Sequence, residues 1–355
     1  MRWDALRVES EEGRRLPGYR DEAVVRTFDA PEAMNIRFYE VNARSALNHV
    51  PKQSRMPFRW TINPYRGCLH ACKFCFARPT HTYLGFDAGR DFEREIVVKV
   101  NVPELLRAEL AKPSWKREHV ALGTNTDPYQ WVEGRYKLMP GIWEAFRDFA
   151  NPCSVLTKSP LLLRDKELLL EVAERAPVTA SFSVPTLEEK TWRATEPHTP
   201  HPRARLEAVA ELNRIGIPTG ILIAPLMPEI NDSPEQVEEI VRIASEAGAV
   251  SIGGIALHLR RDVRDIWFDW LRAKRPDLVP YYERLYARSA YAPRDVQDRA
   301  RRLARAPGQP ERSRRFLRDL ERDGEGTGHF RRRRGAAAGD GTPLPQAEPE
   351  QASLF

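Results

Sequence analysis

Between Phe58 and Leu257 six apolar runs of strand length alternate with segments of helical length, and no tight hairpin signal separates any two of them. Strands that follow one another without hairpins need crossover connections, which makes them parallel and places helices outside the sheet. The expected strands are Phe58–Ile62, His119–Gly123, Cys153–Thr157, Val178–Val184, Pro218–Pro225 and Val250–Leu257. Helices are expected over Pro103–Lys112, Pro140–Phe149, Leu161–Arg175, Pro202–Ile215 and Pro234–Ala247. An α/β fold of the open or partial (β/α)6 barrel type fits best, while a doubly wound sheet shares the periodicity and differs only in strand order. With 355 residues, 41% of them hydrophobic, the chain suits one main domain with appendages. We divide it into a polar, irregular N-terminal extension (1–55), a core (56–260), a helical segment (261–300) and a basic tail expected to be disordered (301–355). The aromatics Trp267, Phe268, Trp270, Tyr281, Tyr282 and Tyr286 read as packing residues.

Three of the four cysteines fall within eight residues, in the run Asn63-Pro-Tyr-Arg-Gly-Cys68-Leu-His-Ala-Cys72-Lys-Phe-Cys75-Phe-Ala-Arg78. That density excludes a distributed disulfide framework and suits a reducing compartment, by default the cytoplasm. Soft thiolates select iron–sulfur clusters, zinc or copper(I). The C-x3-C-x2-C spacing offers three ligands, and a [4Fe–4S] cluster so held keeps one iron free for a small molecule that chelates through an amine and a carboxylate. Zinc would need a fourth ligand, for which His70, His81 and Cys153 are candidates, none at a finger or ribbon spacing.

This motif, with the aromatic Phe74 before its third cysteine and a position after the first strand of a strand-helix barrel, resembles the radical S-adenosylmethionine (SAM) superfamily. With Thr80-His81-x-Tyr83-Leu84, Gly123-Thr-Asn-Thr-Asp-Pro-Tyr-Gln130 and Thr157-Lys-Ser159 it is similar to the group related to spore photoproduct lyase, across residues 58–260. The resemblance implies that Cys68, Cys72 and Cys75 hold the cluster, and that SAM is cleaved reductively to methionine and a 5′-deoxyadenosyl radical. It also implies an electron donor protein. The cofactor contacts it implies lie at or just past the carboxyl ends of the strands. Thr124 and Asn125 would offer acceptors to the SAM amino group, Lys158 would pair with its carboxylate, and Ser181 or Ser183 would bind the ribose. Ala224, before Pro225, would let main chain approach the adenine. The same residues also read as an Asx turn before Pro128 and as small side chains relieving crowding inside a barrel, so both readings stand. A faithful photoproduct lyase is not expected. That enzyme needs a further cysteine after the second strand, and none lies between Cys75 and Cys153, which begins the third strand. Tyr83, Tyr129 and Tyr136 are the alternative hydrogen donors.

The net charge of +6 is uneven: twelve arginines face five acids in residues 301–334, and the rest of the chain sums to about −1. Such a tail can track a nucleic-acid backbone, or it is simply a solvated segment. The last residues, with Gln351, Leu354 and Phe355, resemble the peptide by which bacterial DNA polymerases and repair proteins dock on the sliding clamp. No run reaches the length of a membrane span, and residues 1–15 hold no stretch long enough for a signal peptide. Three functions stay open: a radical SAM enzyme acting on DNA as a repair-like lyase, one modifying a protein or small molecule, and a non-catalytic iron–sulfur protein.

Overall fold

The computed structural model describes residues 8–28, 35–51, 54 and 56–305. Its strands are β1 (Val8–Arg14), β2 (Ala23–Phe28), β3 (Arg37–Val41), β4 (Asn48–His49), β5 (Trp60–Ile62), β6 (Tyr65–Arg66), β7 (Glu95–Lys99), β8 (Val120–Leu122), β9 (Cys153–Thr157), β10 (Val178–Ser183), β11 (Thr219–Leu226) and β12 (Ile252–Ala256). The main sheet runs β4-β5-β8-β9-β10-β11-β12. From β5 to β12 every neighbouring pair is parallel, and β4 joins the edge antiparallel. Each strand therefore lies beside the one before it in the main sheet, which is single winding. The doubly wound alternative is excluded, and the sheet is the open six-stranded barrel.

Prolines open the helices Val102–Leu110, Pro202–Arg214 and Pro234–Glu246, where a missing N–H costs nothing. The last is also capped by Ser233, whose hydroxyl accepts from the Gln236 N–H. Their apolar stripes, through Leu106, Leu206, Val209, Val237 and Ile240, join the barrel core, in which Trp143 and Trp267 are fully buried. No helix among the described residues is long and apolar enough to cross a membrane.

The N-terminal region departs from the irregular extension expected. Its strands build a second sheet in the order β1-β2-β3-β7-β6, with β3 and β7 parallel and the other pairs antiparallel. At its centre β7 is buried at all five positions. Ile96 and Val98 face a cluster with Phe28, Phe38 and Tyr65, while Val97 faces Leu16, Tyr39 and Phe86. The alternation that marks a half-buried strand is thus absent from β7, because apolar layers cover both faces. β6 leads directly into Gly67 and Cys68, so this sheet carries one end of the cysteine loop.

Beyond β12 the chain packs back on the barrel through Asp262–Lys274, Val279–Leu285 and Arg294–Leu303. Tyr282 and Tyr286 are buried and donate to the carbonyls of Pro228 (2.8 Å) and Leu257 (2.6 Å), and Trp267 stacks on Trp270 at 4.6 Å. These aromatics pack. The last helix lies so close to β12 that a Cβ on Gly254 would meet the Ala300 carbonyl at 2.5 Å. It runs past residue 301, the expected start of the tail, and residues 306–355, with the clamp-like peptide, lie outside the described residues.

Candidate cofactor site at the strand ends

The cysteine loop is a series of tight turns. Ala71, Cys75 and Arg78 donate their N–H groups to the carbonyls of Cys68, Cys72 and Cys75, each at 3.3 Å. Gly67 enters it at φ +78°, and a Cβ there would lie 2.8 Å from the Phe92 carbonyl. Arg78 ties the loop from inside. Its buried guanidinium donates to the carbonyls of Cys72 (2.9 Å), Ala71 (3.2 Å), Ala88 (3.1 Å) and Gly89 (2.6 Å), and to Glu93 Oε2 (2.8 Å). A planar five-donor group can hold this many carbonyls where lysine could not.

All four cysteines are free thiols. Burial pushes the Cys75 thiol up to about 11, with Cys68 adding to it. Cys72 is raised well above the thiol range by burial and then by the Glu196 carboxylate, while Lys158 pulls the other way. Thiols this buried and close resist joint ionisation, and an iron cluster that takes them as thiolates relieves that resistance. The donor set fits such a cluster. The zinc candidates are elsewhere engaged: His70 Nδ1 lies 3.3 Å from Asp127, His81 is packed between Phe86 and Phe92, and Cys153 is buried at the start of β9. Among the described residues no group of three His, Cys, Asp or Glu side chains, Cys68, Cys72 and Cys75 included, is drawn together closely enough to hold a single metal ion.

The loop after β8 locks the cysteines to the barrel. Gly123, at φ +84°, passes so near β9 that a Cβ would stand 1.9 Å from the Leu156 carbonyl. Thr126 Oγ1 donates to the Gly67 carbonyl (2.6 Å), and Gln130 Oε1 accepts from the Leu69 N–H (2.9 Å). Asp127 Oδ1 accepts from the Tyr129 N–H (2.9 Å), which is the Asx turn expected before Pro128, and from Thr157 Oγ1 (2.6 Å). Its Oδ2 accepts from the Lys158 N–H at 2.7 Å. Burial would raise this carboxyl, but His70 and these donors hold it below the usual range. Asn125 donates its side-chain amide to Thr80 Oγ1 (3.3 Å) and its N–H to Asn63 Oδ1 (3.1 Å), with half-buried Thr124 beside it.

Lys158, at the end of β9, stands 5.6 Å over the Phe74 ring. Its ammonium donates to Ser183 Oγ (2.6 Å) and pairs with Glu196 Oε1 at 2.6 Å. Glu196 pairs in turn with Arg205 Nη1 at 3.0 Å. Burial would push the Glu196 carboxyl up; Arg205 and Lys158 outweigh it and hold it below the usual range. Ser183 Oγ donates to the Ala224 carbonyl at 3.0 Å, beside the cis Ala224–Pro225 bond. That hydroxyl thus accepts from Lys158 and donates to Ala224, and Ser181, on the same face of β10, is half-buried. Tyr129 and Tyr136 donate to Asp165 (2.7 Å) and Glu40 (3.0 Å), and of the three tyrosines only Tyr83 is exposed, at 63%.

Sequence reading missed Arg78, Gln130, Glu196 and Arg205 as site builders. The segment Thr195-Glu-Pro-His-Thr-Pro-His-Pro202, too proline-rich for an ordinary helix lead-in, was the signal for Glu196.

An open parallel barrel with a three-cysteine loop at the carboxyl ends of its strands defines a class, and residues 62–244 match the radical SAM superfamily. The chain belongs to that superfamily. An uncharacterized protein of Mycobacterium tuberculosis (strain ATCC 25618 / H37Rv) is 44% identical over 286 residues, covering 81% of this chain and 84% of that one. Another, of Methanocaldococcus jannaschii, is 26% identical over 198 residues, 56% of this chain and 70% of that one. Among solved structures, spore photoproduct lyase complexed with dinucleoside spore photoproduct is similar at a TM-score of 0.49 and 15% identity, over 67% of each chain.

Proposed function

We propose that the chain is a radical SAM enzyme in which Cys68, Cys72 and Cys75 hold a [4Fe–4S] cluster. Lys158, the Asn125 loop, Ser181 and the Ala224 backbone would then receive SAM. The observation that supports this most is the position of the Lys158 ammonium, 5.6 Å over the ring of Phe74 in the cysteine loop and 2.6 Å from Glu196, which itself lies 4.0 Å from Cys72 Sγ. When bound, the cluster and SAM supply reductive cleavage to methionine and a 5′-deoxyadenosyl radical that takes hydrogen from a substrate. The chain's own part is positional. Arg78 and Gly67 fix the loop, Asp127 fixes the backbone of Lys158, and the Lys158 ammonium offers a carboxylate an ion pair.

For the substrate we favour nucleic acid, with a repair-like lyase as the reaction class. The arginine-rich tail supports this, as does the clamp-like end through Gln351, Leu354 and Phe355. A sliding clamp and an electron donor protein, in a reducing cytoplasm, are the partners this reading implies. The test is anaerobic reconstitution, reduction with SAM, and quantitation of 5′-deoxyadenosine with and without duplex DNA. We expect release by the native chain and none from Cys72→Ala; equal release from both rejects the reading. Lys158→Ala should weaken SAM binding with iron content unchanged. A DNA-derived product decides for nucleic acid, and its absence turns the search to peptides and small molecules. For the clamp, a peptide of residues 341–355 should bind a bacterial clamp and its Leu354→Ala/Phe355→Ala form should not.

A further inference from the structure

Three charges run in a line from the interior to the cysteine loop. Arg205, 0% exposed, is fixed by the carbonyls of Ser183 (2.8 Å) and Pro200 (2.8 Å) and by Thr199 Oγ1 (2.6 Å). Glu196, also 0% exposed, sits between Arg205 and Lys158, and its Oε1 lies 4.0 Å from Cys72 Sγ. The Lys158 side chain, 15% exposed, is the accessible end. The support is rigid. The Lys73 N–H donates to the Thr195 carbonyl (2.9 Å), which seats Glu196 against the loop, and Trp270 Nε1 donates to the Ala194 carbonyl (2.8 Å) behind it.

Buried ion pairs seldom stabilise a fold better than apolar side chains of the same volume would, so stability alone gives little reason for three charges here. Their placement gives another. A carboxylate beside a cluster ligand disfavours an added electron and an ammonium favours it, and cluster potential follows net charge, hydrogen bonding and exposure.

We propose that Glu196, clamped by Arg205, is a positioning residue that pins Lys158 at the cofactor site and lowers the reduction potential of the cluster through Cys72. The inference rests on the radical SAM reading. It assigns opposite signs to two neighbours: Glu196 makes the cluster harder to reduce, and Lys158 makes it easier.

The experiment is the midpoint potential of the reconstituted cluster without SAM, followed by electron paramagnetic resonance during a redox titration, with iron and sulfide counted in each sample. Glu196→Gln keeps the shape and removes the charge. It should move the potential positive by at least a tenfold change in the reduction equilibrium, about 59 mV for one electron. Lys158→Met should move it negative, and Glu196→Asp should return it toward the native value. Shifts of the same sign in the Gln and Met variants, or no shift at full cluster content, overturn the proposal. Should Glu196→Gln fail to hold a cluster, Lys158→Met decides alone: a negative shift supports the proposal, and a zero or positive one overturns it. A native chain that binds no cluster rejects the radical SAM reading itself, a result distinct from all of these.

Discussion

At the scale of single residues the site depends on positions where only one side chain fits. Gly123 combines a positive φ with a Cβ position inside the Leu156 backbone, so both strain and a clash meet any substitution. Gly123→Ala should destabilise the fold by about 2 kcal/mol or more, read from the urea midpoint, since the left-handed region alone costs an alanine about 1–2 kcal/mol. His81 makes a pH prediction. Burial lowers it to about 4, while the unfolded chain keeps the ordinary value of about 6.5. Between those values the unfolded chain binds a proton that the folded chain refuses, so stability falls as pH drops from about 6.5 to 4 and is flat above. The loss is about 3 kcal/mol at full extent, from about 1.4 kcal/mol per unit. His81→Leu should shallow the pH dependence of unfolding by about one proton across that window, and an unchanged slope would contradict the assignment. The cysteines were legible because their spacing is local. Glu196 was not, because its meaning comes from Lys158 and Arg205, which only the fold brings beside it.

At the scale of elements the six parallel strands and their helices were legible within a few residues, since each carries its own period and breakers. The second sheet was not. β7 is a run of five residues whose partners, β3 and β6, lie far away or on a two-residue strand, and burial on both faces removes the alternation that would reveal it. This hidden element matters for the site, because Ile96 packs beneath Gly67 at the entry to the cysteine loop. Ile96→Ala should cost about 2–5 kcal/mol, as buried aliphatic truncations do. The same truncation at Val24, on β2 but 42% exposed, should cost under about 0.5 kcal/mol. Comparable losses from the two in denaturant unfolding would mean that the second sheet is not packed as described.

At the scale of the whole molecule, a parallel barrel and an N-terminal sheet grip one loop from two sides, and the arginine-rich stretch runs from residue 301 to residue 334. Nine arginines lie between residues 306 and 355. If that segment tracks phosphates, its removal should weaken duplex binding at low salt. It should also flatten the log–log salt dependence by about 0.9 for each phosphate that the shortened chain no longer neutralises. An unchanged slope would assign DNA binding to the folded part or to nothing. The central claim is that three cysteines hold a cluster with one iron open to SAM. Its most direct test is the electron paramagnetic resonance spectrum of the reduced, reconstituted chain before and after adding SAM. The account predicts about four irons per chain, from the cluster stoichiometry, and a spectrum that changes when SAM reaches the open iron. A full complement of iron with a spectrum indifferent to SAM would contradict it.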